Sequence, residues 1–122
     1  MEVPQVFWRR SGTGKRCYVV FCTQEKDCSA TRRQKNLPCE TGTYYLKSEE
    51  LPLDYQGIPA FKESAELLVS NIYAGKIIEP ENDQSSILLG FVWADEAGNF
   101  VGGISDPVHI SFAKDGSISA AN

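Results

Sequence analysis

The sequence predicts an α+β fold, in which a largely antiparallel β-sheet carries one main amphipathic helix packed on one face. Three observations predict it. Apolar residues recur at helical spacing within 59–74, an unbroken apolar run covers 87–94, and short runs of β-branched and aromatic residues alternate with turn formers elsewhere. The 122 residues, 42% of them hydrophobic, can bury a core without metal or disulfide support. We therefore expect one globular domain over residues 1–122.

The N-terminal part is predicted to begin with a β-hairpin. Val, Phe, Trp, Tyr and Cys flank the cluster Ser11-Gly12-Thr13-Gly14, which tolerates the positive φ of a tight turn. The chain then becomes polar, and Pro38 ends a short helix. The predicted elements are strands at 5–9 and 16–23, a short helix around 29–36, a strand at 43–47 and an irregular stretch at 48–58.

The main helix is predicted over residues 59–74. Pro59 suits a first helical turn, and Gly75 suits the position that follows a last one. Residues at offsets of 0, 4, 7, 8 and 11 share one apolar helical face. These residues are Phe61, Ala65, Leu68, Val69 and Ile72.

The C-terminal part is predicted to add four strands. The run SSILLGFVWAD is expected to form a strand covered on both faces near the middle of a sheet. After Pro107, Val108, Ile110 and Phe112 alternate with polar residues, as in a half-buried strand. The predicted elements are a strand within 85–95, a turn at 95–99, a strand at 100–104, a strand from 108 to 112, a turn at 114–116 and a short final strand.

Charge is distributed unevenly along the chain. Residues 1–35 hold eight Lys and Arg against three acids, a balance of +5, whereas residues 36–122 hold four against thirteen, a balance of −9. The overall charge of −4 argues against broad binding to nucleic-acid duplexes, because the acidic part would repel the backbone. No apolar run approaches the roughly 20 residues that cross a bilayer, and the N-terminus does not read as a secretion signal. The sequence therefore predicts a soluble, cytoplasmic protein with no membrane partner.

The basic N-terminal hairpin is the predicted binding site. Guanidinium groups bind phosphate or carboxylate through forked hydrogen bonds, and Trp8 could stack on a base. The segment GTGKR, residues 12–16, contains the glycines and lysine of a phosphate-binding loop. However, Arg9 and Arg16 stand where that motif requires Gly and Ser or Thr, so nucleotide hydrolysis is not expected. The predicted ligand-binding residues are Trp8, Arg9, Arg10, Lys15, Arg16, Arg32 and Arg33.

The four cysteines fall within 23 residues. Their intervening gaps of four, five and ten residues fit poorly with zinc sites, whose ligands usually come in pairs two to four residues apart. Buried, reduced thiols are the preferred interpretation, followed by disulfides and then zinc. No metal or cofactor is predicted. The cysteines are Cys17, Cys22, Cys28 and Cys39.

Catalytic chemistry has weak support. His109 is the one histidine, with Asp106 three positions before it, and a cysteine could complete a nucleophile and base. A lone histidine on the polar side of an edge strand is more often a surface residue. The acids of the predicted turns are not expected to form a catalytic pair. These acids are Glu79, Glu81, Asp83, Asp95 and Glu96.

Three functions follow, in order of preference. The first is a non-enzymatic binding or regulatory domain whose basic N-terminal hairpin recognises an anionic small molecule, a short nucleic acid or an acidic protein. The second is a protein-interaction or inhibitor-type protein that acts through an edge strand or an acidic face. The third is a Cys- and His-dependent enzyme. The sequence leaves the oligomeric state open.

Overall fold

A computed structural model of the chain describes residues 2–79 and 86–121. These residues form two antiparallel β-sheets, a short α-helix and one 3-10 turn at Glu25–Asp27. The strands are β1 (Glu2–Ser11), β2 (Gly14–Thr23), β3 (Gly42–Lys47), β4 (Leu51–Pro52), β5 (Glu66–Ser70), β6 (Ile72–Ile78), β7 (Ile87–Val92), β8 (Val108–Phe112) and β9 (Ile118–Ala121), and the helix is α1 (Ala30–Gln34).

The first sheet has the order β1-β2-β3-β5, and the short β4 pairs with the start of β2. The predicted hairpin is present, with Trp8 opposite Cys17 and Arg9 opposite Arg16. Gly12, at φ +59°, makes the turn, as the sequence indicated. The predicted short helix and the strand at 43–47 are also present, as α1 and β3.

The second sheet has the order β6-β7-β8-β9. Its strand β8 shows the predicted alternation, because Val108 and Ile110 are buried while His109 and Ser111 are exposed. The turn at 95–99 and the final strand are present too. Residues 100–104 do not form a regular strand. They are joined to residues 91–94 by isolated bridges at Phe100 and Ile104 and by backbone hydrogen bonds of residues 101–103 with Val92 and Trp93.

The predicted α+β class is wrong, because the main helix does not form. Residues 59–65 are irregular, and the rest of the predicted helix is divided between β5 and β6. The break is at Asn71, whose φ of +66° is incompatible with an α-helix. The side-chain amide of Asn71 stabilises this turn by donating to the carbonyl of Ala94 at 2.7 Å and accepting from its N–H at 3.0 Å.

Consecutive apolar residues explain why the sequence predicted a helix here. Leu67, Leu68 and Val69 lie on β5 with Leu68 buried and its neighbours half-buried, so both faces of this strand are partly covered. In a strand with apolar residues on both faces, residues three and four positions apart are also apolar, which is the spacing of an apolar helical face. Because Asn71 lets the chain pass from the first sheet to the second, the segment serves as a corner between two sheets.

The core lies between the two sheets. Tyr18, Val20 and Tyr45 of the first sheet pack against Leu88 and Ile110 of the second within one cluster of buried side chains. The strand β6 contacts β1, β2 and β3, so it crosses the strands of the first sheet. One apolar cluster therefore serves both sheets.

Hydrogen bonds from polar side chains connect the two sheets. The Tyr45 hydroxyl donates to Glu66 at 2.6 Å and accepts from the backbone N–H of Ile118 at 3.0 Å. At the other edge, the amide of Gln5 donates to the carbonyl of Ile77 at 2.9 Å and accepts from its N–H at 2.8 Å. Backbone groups that a two-sheet arrangement leaves unpaired are thereby satisfied.

Candidate functional site

The predicted hairpin residues are divided between two faces of the first sheet. Arg9 and Arg16 lie opposite each other and face the second sheet, whereas Trp8, Arg10 and Lys15 face away from it. This division follows from the period-two alternation of side chains along a strand. The hairpin therefore presents two basic groups rather than one.

The outward-facing group is built on an aromatic pair. The Trp8 and Tyr55 rings lie 6.3 Å apart, and the Lys15 ammonium sits 4.5 Å from the centroid of the Trp8 ring. Lys15 also donates to the backbone carbonyl of Tyr55 at 2.9 Å. Arg10, opposite Lys15, is exposed and makes no hydrogen bond or ion pair with the described residues. Arg10 is the cation of this group with the most freedom to meet a ligand.

The inward-facing group is held by internal contacts. The Arg9 guanidinium lies 3.9 Å from the centroid of the Phe112 ring, with its Nε 3.4 Å from a carboxylate oxygen of Glu79. Arg16 donates to the carbonyl of Ser48 at 3.1 Å. A side chain at Gly116 would collide with Arg16, whose stem packs against the backbone there.

The α1 arginines lie apart from the hairpin. Arg32 borders a cavity beside Phe21, five residues along β2 from Arg16, a separation of about 17 Å at roughly 3.3 Å per residue. Its guanidinium donates to the carbonyls of Pro38 and Ala65, and Arg33 donates to the carbonyl of Glu25. The seven predicted residues thus occupy three places, and four of them, Lys15, Arg16, Arg32 and Arg33, already donate to backbone carbonyls.

The cysteines divide into two pairs. Cys28 and Cys39 form a disulfide, so the preferred interpretation of reduced thiols fails for them. Cys17 and Cys22 are buried and unpaired, in agreement with it. Among residues 2–79 and 86–121, no cluster of three His, Cys, Asp or Glu side chains is placed to hold a metal ion.

The groups considered for catalysis are dispersed. His109 is exposed on β8, which pairs with both β7 and β9 and so is not the edge strand that the sequence indicated. Burial raises the pKa of Cys17, which keeps that thiol protonated and poorly nucleophilic. Of the five predicted turn acids, Glu81 and Asp83 lie outside the described residues.

A surface that the sequence did not reveal lies on the outer side of the second sheet. Leu88 points into the core, so Phe91 and Trp93 point outward by alternation. Ile104 bridges to Phe91, and the Phe100 ring meets that of Trp93 edge-on at 5.2 Å. We call these four residues, Phe91, Trp93, Phe100 and Ile104, the apolar face.

The apolar face exposes three large apolar side chains to solvent. Phe91, Phe100 and Ile104 retain 47%, 70% and 77% of their accessible surface. Taking about 200 Å² for each large side chain, the three present on the order of 400 Å² of apolar surface. The largest apolar patch on a monomeric protein is of this size and is often functional. The rings are also held in place, since Tyr73 packs on Trp93 at 4.9 Å.

Three acidic residues lie next to the apolar face in sequence. Asp95 and Glu96 lie in the turn that leads to Phe100, and Asp106 follows Ile104 by two residues; all three are exposed. The Asp95 carboxylate accepts from the N–H groups of Ala97 at 3.0 Å and Asn99 at 2.9 Å, which fixes the turn. The result is an aromatic centre with a negatively charged border.

The expected double coverage of the run at 85–95 is therefore not observed, since Phe91 is exposed. A continuous apolar run looks the same whether its second face is covered or open. The sequence of residues 100–104 predicts a strand, so it gave no local signal that Phe100, Val101 and Ile104 would be exposed.

Comparison with protein-family models, with curated proteins and with solved structures found no match to this chain. Within the described ranges, no helix has the length and apolar character that crossing a membrane requires. The case for any function accordingly depends on the geometry and chemistry of these surfaces.

Proposed function

We propose that the chain is a protein-interaction domain that binds a partner protein through the apolar face. The observation that carries the proposal is the exposure of Phe91, Phe100 and Ile104 beside the packed ring of Trp93. Aromatic side chains in a contiguous apolar patch are the usual energetic centre of an interface. A patch of roughly 400 Å² would supply about half of one side of a standard interface, which buries about 800 Å² per partner.

The charges around the apolar face indicate the chemistry of the partner. Asp95, Glu96 and Asp106 border the apolar centre, so a complementary surface carries an apolar centre with Lys or Arg at its edge. Such rim charges mainly speed association, and their contribution falls with salt. The proposal keeps the interaction function that ranks second on sequence grounds but assigns it to the apolar face rather than to an edge strand or an acidic face.

The compartment bears on the search for a partner. The cytoplasmic location predicted from the sequence remains a prediction. The Cys28–Cys39 disulfide favours an oxidising compartment instead, because cytosolic thiols are kept reduced. Partners should therefore be sought among proteins that meet the chain under oxidising conditions as well as in the cytosol.

The test compares two double variants. Phe100→Ser with Ile104→Ser removes the apolar face, and Val6→Ser with Ile58→Ser removes two apolar side chains that are 63% and 92% exposed elsewhere. Immobilised parent and control should retain the same protein from an extract of the source cells, and the face variant should lose it. Calorimetry with the purified partner should give weaker binding at higher salt. Equal retention by all three proteins would refute the proposal.

A second function, recognition of an anion by the basic hairpin, has one specific observation in its favour. Arg9 and Arg16 face each other across β1 and β2, and the Nε of each is buried without a hydrogen bond to the described residues, although the Arg9 Nε lies 3.4 Å from a carboxylate oxygen of Glu79. Like charges in directly opposite positions repel unless neutralised. Pyrophosphate should then raise the melting temperature of the parent, and the increase should shrink with salt. No increase at low salt would leave the two arginines with a structural role only.

A further inference from the structure

A cavity lies beside the disulfide, on the face of the first sheet that is turned away from the core. Its floor is formed by the stacked rings of Phe21 and Tyr44, whose centroids are 6.0 Å apart. The Cys28–Cys39 disulfide, Pro38 and the methyl group of Ala65 form apolar walls. The volume is 170 Å³. We call this cavity the disulfide pocket.

The size of the disulfide pocket limits what it can hold. Apolar cavities of about 150 Å³ accommodate one benzene molecule. Phe21 and Tyr44 stack on each other and are 7% and 2% exposed, so the floor offers ring edges, against which another aromatic ring packs edge-on. One six-membered ring therefore fits the volume and matches the lining.

Polar groups also line the pocket. Arg32 lies with its guanidinium carbon 5.2 Å from the centroid of the Tyr44 ring and uses three of its N–H groups on the carbonyls of Pro38 and Ala65. Asp27 lines the same cavity, and no described residue donates to its carboxylate. An ionised carboxylate only accepts hydrogen bonds, so it favours a ligand that carries a donor.

We propose that the disulfide pocket binds a small aromatic molecule of the phenol type, with its ring against the edges of Phe21 and Tyr44 and the hydroxyl donating to Asp27. The site lies on the first sheet and shares no residue with the apolar face. It is therefore independent of the proposed partner binding, and either can fail alone.

The disulfide holds one wall of the pocket in place. The helix α1, between Cys28 and Cys39, has five residues and no buried side chain, so it is too short to persist by itself. Apart from the disulfide, two sets of hydrogen bonds mainly hold this wall. The Ser29 hydroxyl accepts from the backbone N–H of Arg32, and the Arg32 guanidinium donates to the carbonyls of Pro38 and Ala65. Reduction should therefore loosen the wall and weaken ligand binding.

Binding is tested by fluorine NMR with 4-fluorophenol and 4-fluoroanisole, which share a ring but differ in the donor. The parent should broaden and shift the 4-fluorophenol signal, with weaker effects on 4-fluoroanisole. Ala65→Leu fills the cavity and should abolish binding, whereas Ala60→Leu, an exposed position outside the lining, should preserve it. Near-ultraviolet circular dichroism checks that both variants are folded. Absence of binding to the parent, or equal binding by folded Ala65→Leu, would overturn the proposal.

The link to the disulfide gives a second readout. If reduction starts from the ligand-free pocket, 4-fluorophenol at ten times its dissociation constant should slow reduction of Cys28–Cys39 about 11-fold. The reduced protein should also bind the probe more weakly than the oxidised protein. An unchanged reduction rate together with equal affinity of both redox forms would contradict the role of the disulfide wall.

Discussion

Replacement of Tyr45 by Phe should destabilise the protein more than the loss of one hydroxyl group suggests. The ring is 1% exposed, and its hydroxyl joins the two sheets by donating to Glu66 and accepting from the N–H of Ile118. Phe keeps the ring but leaves the Ile118 N–H buried without an acceptor. The other partner is affected less, since Glu66 is exposed and can bind water.

The magnitude follows from these two bonds. A buried donor left without a partner costs about 1–3 kcal/mol, and a hydrogen bond to a charged group contributes about 1.5 kcal/mol or more. We therefore expect the free energy of unfolding to fall by about 3 kcal/mol. For a chain of 122 residues, each kcal/mol shifts the melting temperature by about 4 °C, which gives a decrease of about 12 °C.

The neighbouring tyrosine provides a matched control. Tyr44 is 2% exposed, but its hydroxyl donates to the backbone carbonyl of Glu40 at 2.5 Å near the surface, where water can replace it. Tyr44→Phe should cost about 1 kcal/mol. Urea unfolding monitored by circular dichroism measures both losses. Equal and small losses for the two variants would refute the account of how the sheets are joined.

Three further predictions concern pH, the disulfide and the sheet corner. Burial raises the pKa of Tyr45 above the value of about 10 that it has in the unfolded chain. The unfolded chain therefore loses this proton first, and the stability of the folded protein falls above pH 10. Between pH 9 and 11 the free energy of unfolding, measured in urea, should fall by about 1.4 kcal/mol more for the parent than for Tyr45→Phe. Joint replacement of Cys28 and Cys39 by Ala should lower the free energy of unfolding by about 3 kcal/mol. When the parent is unfolded without a reductant, two of its four cysteines should react with an alkylating reagent, and reaction at all four would contradict the disulfide. Asn71→Ala should destabilise by about 1 kcal/mol more than Asn71→Gly, because glycine adopts positive φ without strain; the reverse order in thermal unfolding would argue against the corner.

Local patterns predicted the local elements well. The turn at Gly12 and the alternation from Val108 to Phe112 depend on neighbours in sequence, and both are present in the structure. The helix at 59–74 was wrong because the spacing of its apolar residues also fits a strand covered on both sides. The decisive feature was Asn71, whose positive φ is stabilised by Ala94, a residue 23 positions away. Such a contact cannot be read from a local window.

The surfaces were predicted less completely. Residue types identified the cations of the hairpin, and the alternation of side chains along β1 explains why Arg9 and Arg10 lie on opposite sides. Their partners, such as Glu79 for Arg9, depend on how the second sheet lies on the first. The apolar face was missed because an apolar run does not reveal whether a second layer covers it, and because Phe100 joins Trp93 through a turn rather than a regular strand.

The most direct test of the proposed function is site-specific photo-crosslinking in the source cells. A benzophenone side chain in place of Ile104, which is 77% exposed, lies on the apolar face. The same group in place of Ile58, which is 92% exposed, lies outside that face. If a partner binds the apolar face, Ile104→p-benzoylphenylalanine should form one dominant adduct with a protein whose contact surface is basic and apolar. The Ile58 variant should form none. Adducts of equal yield and identity at both positions, or no adduct at position 104, would contradict it.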